Sequence, residues 1–491
     1  MPSTPISDSG AEVPVRRAIM IVFVLMLIEV AGMFEQAMVL GSLPFFANLF
    51  GINLAAAAWV ITIFVLTGAA SAILAGKLGD MYGRRRVVLV LLAVSLAGSL
   101  ITITIGTFPA LLIGRALQGT SIGIVPLLIG IARETLPKSM VPMTVAYLTA
   151  TGTITAGVGM FVAGLFIDSG DWHYMFVVTA ALCAVTLILT RVFVPESTVT
   201  QSGTIEWVGA ALMAPGLISL LYGISVAQGA GLTDAGVLAS IGIGSVVLAV
   251  WVWWELRVPS PLVDLRLLVN PKLAKTMVVI LLTGLATISV NFVSNPLLAL
   301  SPAEYPIGIG LTATTFGSFA LAASIITFIV TPLSGRIAAR NGASLAMVIG
   351  VALLLAVYIG LMIPAINSSV VGFFLANMTV MIGNSFVISS MFNLVVEAVP
   401  AESTSQYIGV AQVASNVSRA VGTVIASVLL SSSVMPGSTA PTVAAWNLTM
   451  IYTIVVSIVV LVIASYMFAR RRATRSAEAP HAIADTEVTT V

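Results

Sequence analysis

Long apolar runs recur from Ala18 to Phe468, separated by short polar stretches that collect most of the charged residues. A helix crossing a hydrocarbon core of about 30 Å needs about 20 apolar residues. The runs have that length and lack the period-two alternation of barrel strands. Backbone amides in hydrocarbon must be paired within their own segment, so the pattern predicts spanning helices. Fourteen are expected, near 18–44, 54–75, 87–106, 109–132, 142–167, 174–195, 205–227, 234–254, 274–298, 309–333, 345–364, 370–396, 406–431 and 445–469.

The basic residues test that count. With the N-terminus in the cytoplasm and the chain alternating sides, nineteen of the 21 Lys and Arg residues fall on the cytoplasmic side. The other two, Arg115 and Arg419, lie inside spans, and the outer loops carry Asp168, Asp171, Asp234 and Glu304. This is the positive-inside bias, which a wrong helix count would scramble. An even count leaves both termini cytoplasmic. The tail from Ala473 to Val491 is polar and Ala/Thr/Glu-rich and is expected to be disordered.

Composition agrees: 59% of the 491 residues are hydrophobic and 8% charged, with a mean hydropathy of +1.11. Soluble domains carry about 25% charged residues, so most of this surface faces lipid. The single cysteine, Cys183, excludes a disulfide framework within the chain and reads as a packing residue. His173 reads as an interfacial residue and His481 lies in the polar tail. No H-E-x-x-H, phosphate loop or His cluster is present, so no catalytic residue, metal ligand, bound cofactor or nucleic-acid partner is expected. The first run follows Arg16 and Arg17, but it contains Glu29 and Glu35 and lacks an A-x-A exit; it is expected to be retained as a span.

The chain repeats itself. Leu74-Ala75-Gly76-Lys77-Leu78-Gly79-Asp80-Met81-Tyr82-Gly83 echoes Leu333-Ser334-Gly335-Arg336-Ile337-Ala338-Ala339-Arg340-Asn341-Gly342, each after a span ending in the cytoplasm. Repeated halves mark transporters whose substrate site lies between the halves near the midplane. Eight spans separate the copies, so a pair within 205–254 reads as an insertion between two six-helix units.

The first copy, continued through Arg84, Arg85 and Arg86, resembles the G-x-L-a-D-r-x-G-r-r loop of the major facilitator superfamily. Leu112 to Gly123 resembles that family's fourth-helix l-x-x-R-x-x-q-G stretch. Pro261-Leu262-Val263-Asp264-Leu265-Arg266 and Asn416-Val417-Ser418-Arg419-Ala420-Val421-Gly422 resemble stretches of its fourteen-helix drug:proton antiporters, as does Glu35 to Pro44. The resemblance implies an all-α membrane fold, with a bundle at 18–195, a linker with two extra helices at 196–272 and a bundle at 273–469, flanked by tails 1–17 and 470–491. It implies a monomer in a bacterial cytoplasmic membrane that exports amphipathic drugs by alternating access, driven by the proton gradient. Gly76, Asp80, Gly83 and Arg84 would form a latch between the halves; Ala339 replaces Asp80 in the second copy. Two departures are visible. Glu35 stands where the family has Asp, and Met160 replaces the proline of the fifth-helix antiport motif. These leave open export of an endogenous metabolite or lipid, or uptake by symport.

Glu29, Glu35, Arg115 and Arg419 lie within spans, where each costs about 2.5–3.5 kcal/mol on insertion scales and so calls for a partner or a task. Glu35 is about 13 Å below Pro44 and Arg115 about 9 Å below Pro109, at matching depths. Glu35 is therefore expected to carry the coupling proton with Arg115 as partner or modulator, the alternative being a static ion pair. Glu29, about 240° around the helix, is a second candidate. Gln36, Gln118, Asn291, Asn295, Asn384, Gln412, Asn416 and Arg419 are candidates for the cavity wall; polar stripes of this kind also serve as interhelical hydrogen bonds.

Overall fold

The computed structural model describes residues 14–39, 42–52, 54–168, 170–197, 206–231, 233–259, 261–288, 313–363, 369–434 and 441–487. Among them, thirteen helices are long and apolar enough to cross a membrane. The ninth expected span is described only from Pro271 to Ile288, where an α-helix passes into a π-turn.

The first half comprises α1 (Val15–Ala37), a short α2 (Leu43–Phe50), α3 (Leu54–Tyr82), α4 (Arg84–Ile105), α5 (Phe108–Gly119), α6 (Ile124–Thr135), α7 (Val141–Asp168) and α8 (His173–Phe193). Helices α5 and α6 are one span, joined by a 3₁₀ turn at Thr120–Gly123. An inserted pair follows, α9 (Trp207–Ala230) and α10 (Ala235–Glu255). The second half comprises α11 (Pro271–Thr283), α12 (Ala313–Val330), α13 (Pro332–Asn341), α14 (Ala343–Gly360), α15 (Val370–Ala398), α16 (Thr404–Ser431) and α17 (Val443–Glu487). The halves meet where α16 crosses α3 and α6, and where α12, α13 and α15 cross α7.

Helix α9 packs on both α3 and α16, whereas α10 packs chiefly on α9. Met213 and Leu217 of α9 enter one apolar cluster with Ala72 and Ile73 of α3 and Val413 of α16. The inserted pair thus lies over the seam between the halves.

Two expectations are corrected. The first span ends at Ala37, not Pro44; Pro44 instead starts α2, where proline fits because the first turn has no use for its missing N–H. The tail read as disordered continues α17 to Glu487, its Ala, Arg and Glu residues being good helix formers that extend a helix already nucleated. With Met160 in place of the motif proline, α7 runs without interruption, and Met160 is 50% exposed.

Candidate functional site: a latch and a buried carboxyl

Gly83 and Gly342, equivalent in the repeat, both have φ of +100°, a backbone state that a side chain would strain. Each turns the chain directly into the next helix. From the first turn, Arg84 folds back beneath the bundle and is 1% exposed. Its guanidinium meets Asp80 at 2.9 Å and Glu134 at 3.1 Å. It also donates to Gly130 O, to Ser405 Oγ at 3.0 Å and to Ala401 O at 2.7 Å, the last two in the second half. Asp80 Oδ2 accepts the Gln406 amide at 2.9 Å. That amide is in the first turn of α16, where free N–H groups favour an anion.

Close backbone contact accompanies the ion network. A Cβ on Gly76 would stand 2.5 Å from Ser405 O, and one on Gly409 would stand 2.4 Å from Ala72 O. The second copy makes the same approach on the opposite flank, where a Cβ on Gly335 would stand 2.6 Å from Met143 Cα of α7. It lacks the carboxylate, because Ala339 replaces Asp80. The bundle is therefore closed at this end by two crossings, one of them ionic.

The Pro261–Arg266 stretch joins this network, a contact that no residue pattern announces. Gln406 Nε2 donates to Leu262 O, and the Tyr407 hydroxyl to Asp264 O at 2.8 Å. Glu255, at the end of α10, accepts from Val263 N at 3.2 Å and Trp251 Nε1 at 3.0 Å. The segment leaving the inserted pair is thereby fastened to Gln406, which also meets Asp80, and to the next residue of α16.

Glu35 is 0% exposed, near the C-terminal end of α1. Its Oε1 accepts from Ser95 Oγ of α4 and from Cys183 Sγ of α8 at 3.3 Å; Oε2 has no hydrogen-bond partner among the described residues. Cys183, read as a packing residue, is thus a ligand of the carboxyl. Arg115 is 1% exposed and comes beside Glu35, as the depths require, but it does not pair with the carboxylate. Its Nη1 donates to Glu35 O at 2.8 Å and Gln118 Oε1 at 2.9 Å, its Nε to Val60 O at 3.2 Å, and its plane lies 4.1 Å from the Phe64 ring centre. The static ion pair left open as the alternative does not form; Arg115 instead caps α1, because ending the helix at Ala37 leaves its last carbonyls short of partners.

Above Glu35 the turn into α2 brings an aromatic cluster over the ends of α1, α5 and α8. Phe46 and Phe50 lie 5.5 and 6.0 Å from Trp172, and Phe50 lies 5.6 Å from Phe108. Glu29 faces a different neighbour, with Oε1 3.3 Å from where a Gly152 Cβ would be.

The wall candidates divide. Gln118 is fully buried, donating to Ser99 Oγ at 2.8 Å, and belongs to the Arg115 network rather than to an open wall. Asn384 and Gln412 each hold a buried amide oxygen without a hydrogen-bond partner among the described residues. Arg419 donates to Asn416, and no carboxylate among the described residues forms an ion pair with it. Gln36 is half-buried on α1, while Asn291 and Asn295 lie outside the described residues.

The profile of the Major Facilitator Superfamily matches residues 25–423. The chain belongs to the Major Facilitator Superfamily. With thirteen apolar spanning-length helices among its described residues, it is a multi-pass membrane protein of that family. It is 22% identical to the lincomycin resistance protein LmrB of Listeria monocytogenes, over 82% of this chain and 84% of that one. It is 25% identical to the multidrug resistance protein Stp of Mycobacterium tuberculosis, over 76% of this chain and 68% of that one. The uridine/deoxyuridine transporter of Lactococcus lactis is 28% identical over 57% of this chain and 59% of that one. The chain spans 61% and 48% of the lengths of two further relatives, the MFS-type transporters YhcA and YfiU of Bacillus subtilis. In fold it resembles the human organic anion transporter MFSD10, with a TM-score of 0.60 at 16% identity, covering 92% of this chain and 100% of that one. The proton:xylose symporter XylE superposes with a TM-score of 0.54 at 13% identity, covering 90% of this chain and 95% of that one.

Proposed function

We propose that this facilitator is a proton-coupled exporter of hydrophobic or cationic drugs in the bacterial cytoplasmic membrane, with both termini in the cytoplasm. The observation that supports the coupling is Glu35: a buried carboxyl held by two neutral donors, with no ion pair and one oxygen unpartnered among the described residues. Such a group can exchange a proton only when the helices around it part. A membrane potential of 100 mV supplies about 2.3 kcal/mol per charge, so an inward proton can drive an outward cargo. The latch would hold one end shut while the other opens, and Asn384, Gln412 and the Asn416–Arg419 pair would meet the cargo between the halves.

Multidrug and lincomycin resistance among the relatives supports a drug cargo. A second reading, carriage of an endogenous metabolite such as a nucleoside, is favoured by the uridine/deoxyuridine relative and by Met160 in place of the motif proline. The test is efflux of lipophilic cations and nucleosides from proteoliposomes under an imposed pH gradient, with and without a proton ionophore. Gradient-driven, ionophore-sensitive movement of the cations supports the first reading. Nucleoside transport alone supports the second, and ionophore-insensitive transport rules out proton coupling.

A further inference from the structure

A cavity of about 700 Å³ opens on the second half at the latch end. Its walls are the start of α11, the end of α15 and the last apolar turns of α17. Lys272 and Lys275 of α11 and Arg470 and Arg471 of α17 all line it. The one acid in the wall, Glu397, is already engaged: Oε2 pairs with Arg471, and Oε1 accepts the Ala343 amide at 3.1 Å. With Arg471 taken up by Glu397, Lys272 and Lys275 leave the wall an excess of positive charge. The N-terminus of α11, capped by Asn270 at the Lys272 amide (3.0 Å), opens on the same space and adds its partial positive charge.

The rest of the wall is apolar. Tyr466 carries the Lys275 ammonium 4.7 Å from its ring centre, and Leu394 and Met467 stand beside it. Helical spacing continues this surface toward the membrane interior. Val278 is one turn beyond Lys275 and is 44% exposed; Val462 is one turn before Tyr466 and is 61% exposed. A basic pocket at the membrane surface with an apolar track leading from it matches the two ends of a lipid. A soluble anion would use only the first.

We propose that this cavity binds the phosphate-bearing headgroup of an anionic phospholipid, with the acyl chains lying along Val278 and Val462. Basic pockets between spanning helices recognise headgroups by summed electrostatic attraction. The site adjoins the latch through the chain itself: Glu397 stands near the end of α15, and the turn that follows gives Ala401 O to Arg84.

Native mass spectrometry of delipidated full-length protein, titrated with cardiolipin, phosphatidylglycerol or phosphatidylcholine, tests this. Lys272→Gln/Lys275→Gln should bind the two anionic lipids on the order of 30-fold more weakly. Lys138→Gln/Arg257→Gln, which removes the same charge elsewhere, should bind them as the parent does. Arg470→Gln, at an exposed position, is a second variant should the first fail to fold by circular dichroism; it should weaken binding about fivefold. Glycerol phosphate and inorganic phosphate, added alone, should not displace bound lipid at millimolar concentration. Equal losses in the cavity and control variants would overturn the site, as would equal binding of phosphatidylcholine. Displacement by inorganic phosphate would assign the cavity to a soluble phosphate instead and overturn the lipid.

Discussion

The Arg115 guanidinium holds the main-chain oxygen of Glu35 at 2.8 Å and leaves the carboxyl to Ser95 and Cys183. The cation and the acid of this pair therefore have separable tasks, one structural and one chemical. Replacing Arg115 by Lys removes the fork that reaches Glu35 O, Val60 O and Gln118 together. At least one buried acceptor is stranded, at about 1–3 kcal/mol each. The thermal unfolding midpoint in detergent should fall clearly for Arg115→Lys and stay near that of the parent for Glu35→Gln, which keeps the main-chain contact. The reverse order would show that the carboxyl, not the cap, is structural.

Glu35→Gln should also separate coupling from binding. Its amide can still accept from Ser95, so the fold and the cargo affinity should persist. Transport driven by a pH gradient in vesicles should disappear, while cargo exchange without a gradient continues. Coupled transport at the parental rate would exclude Glu35 as the proton carrier.

Asp80→Asn removes the acid that joins Arg84 to the first turn of α16. Breaking one partner of a buried ion pair costs about 3–5 kcal/mol. That cost falls on the closed arrangement. Hydrogen–deuterium exchange in peptides covering 401–410 should speed up, because the substituted side chain has one accepting oxygen for two donors, Arg84 and the Gln406 amide, and no charge. Unchanged exchange there would mean that the carboxylate does not hold the two halves together.

The steric part of the closure can be tested without touching any charge. Gly76→Val and Gly335→Val place a side chain where backbone of the facing half lies within 2.5 and 2.6 Å. Each should insert into the membrane normally and transport poorly. Gly164→Val, with nothing within 4 Å of the added Cβ, should transport like the parent.

Much of this architecture was legible in the sequence, because each spanning helix leaves a local mark: an apolar run bounded by charges. Even the repeat surfaces in the backbone, where Gly83 and Gly342 share one φ. The matching depths of Glu35 and Arg115 brought them together correctly, but depth says nothing of which oxygen a guanidinium meets. That depended on where α1 stops, and an apolar Met38-Val39 end carries no stop signal. Cys183 and Ser95 were not foreseen as ligands of Glu35, because a small polar residue in an apolar run looks the same whether or not it faces an acid. The fastening of Leu262 and Asp264 to Gln406 and Tyr407 joins residues more than 140 positions apart, beyond the reach of any periodicity.

Helix α9 touches α3 on one side of the seam and α16 on the other, and these are the helices whose backbones meet at the latch. Any motion that separates α3 from α16 must slide at least one of them along α9. A twelve-span relative without this helix would be free of that friction, and would expose the same seam to lipid whenever it opened. Here the inserted pair covers that joint from the side, and its tether at Leu262 and Asp264 ties its exit to α16, so the cover and the joint are built as one unit.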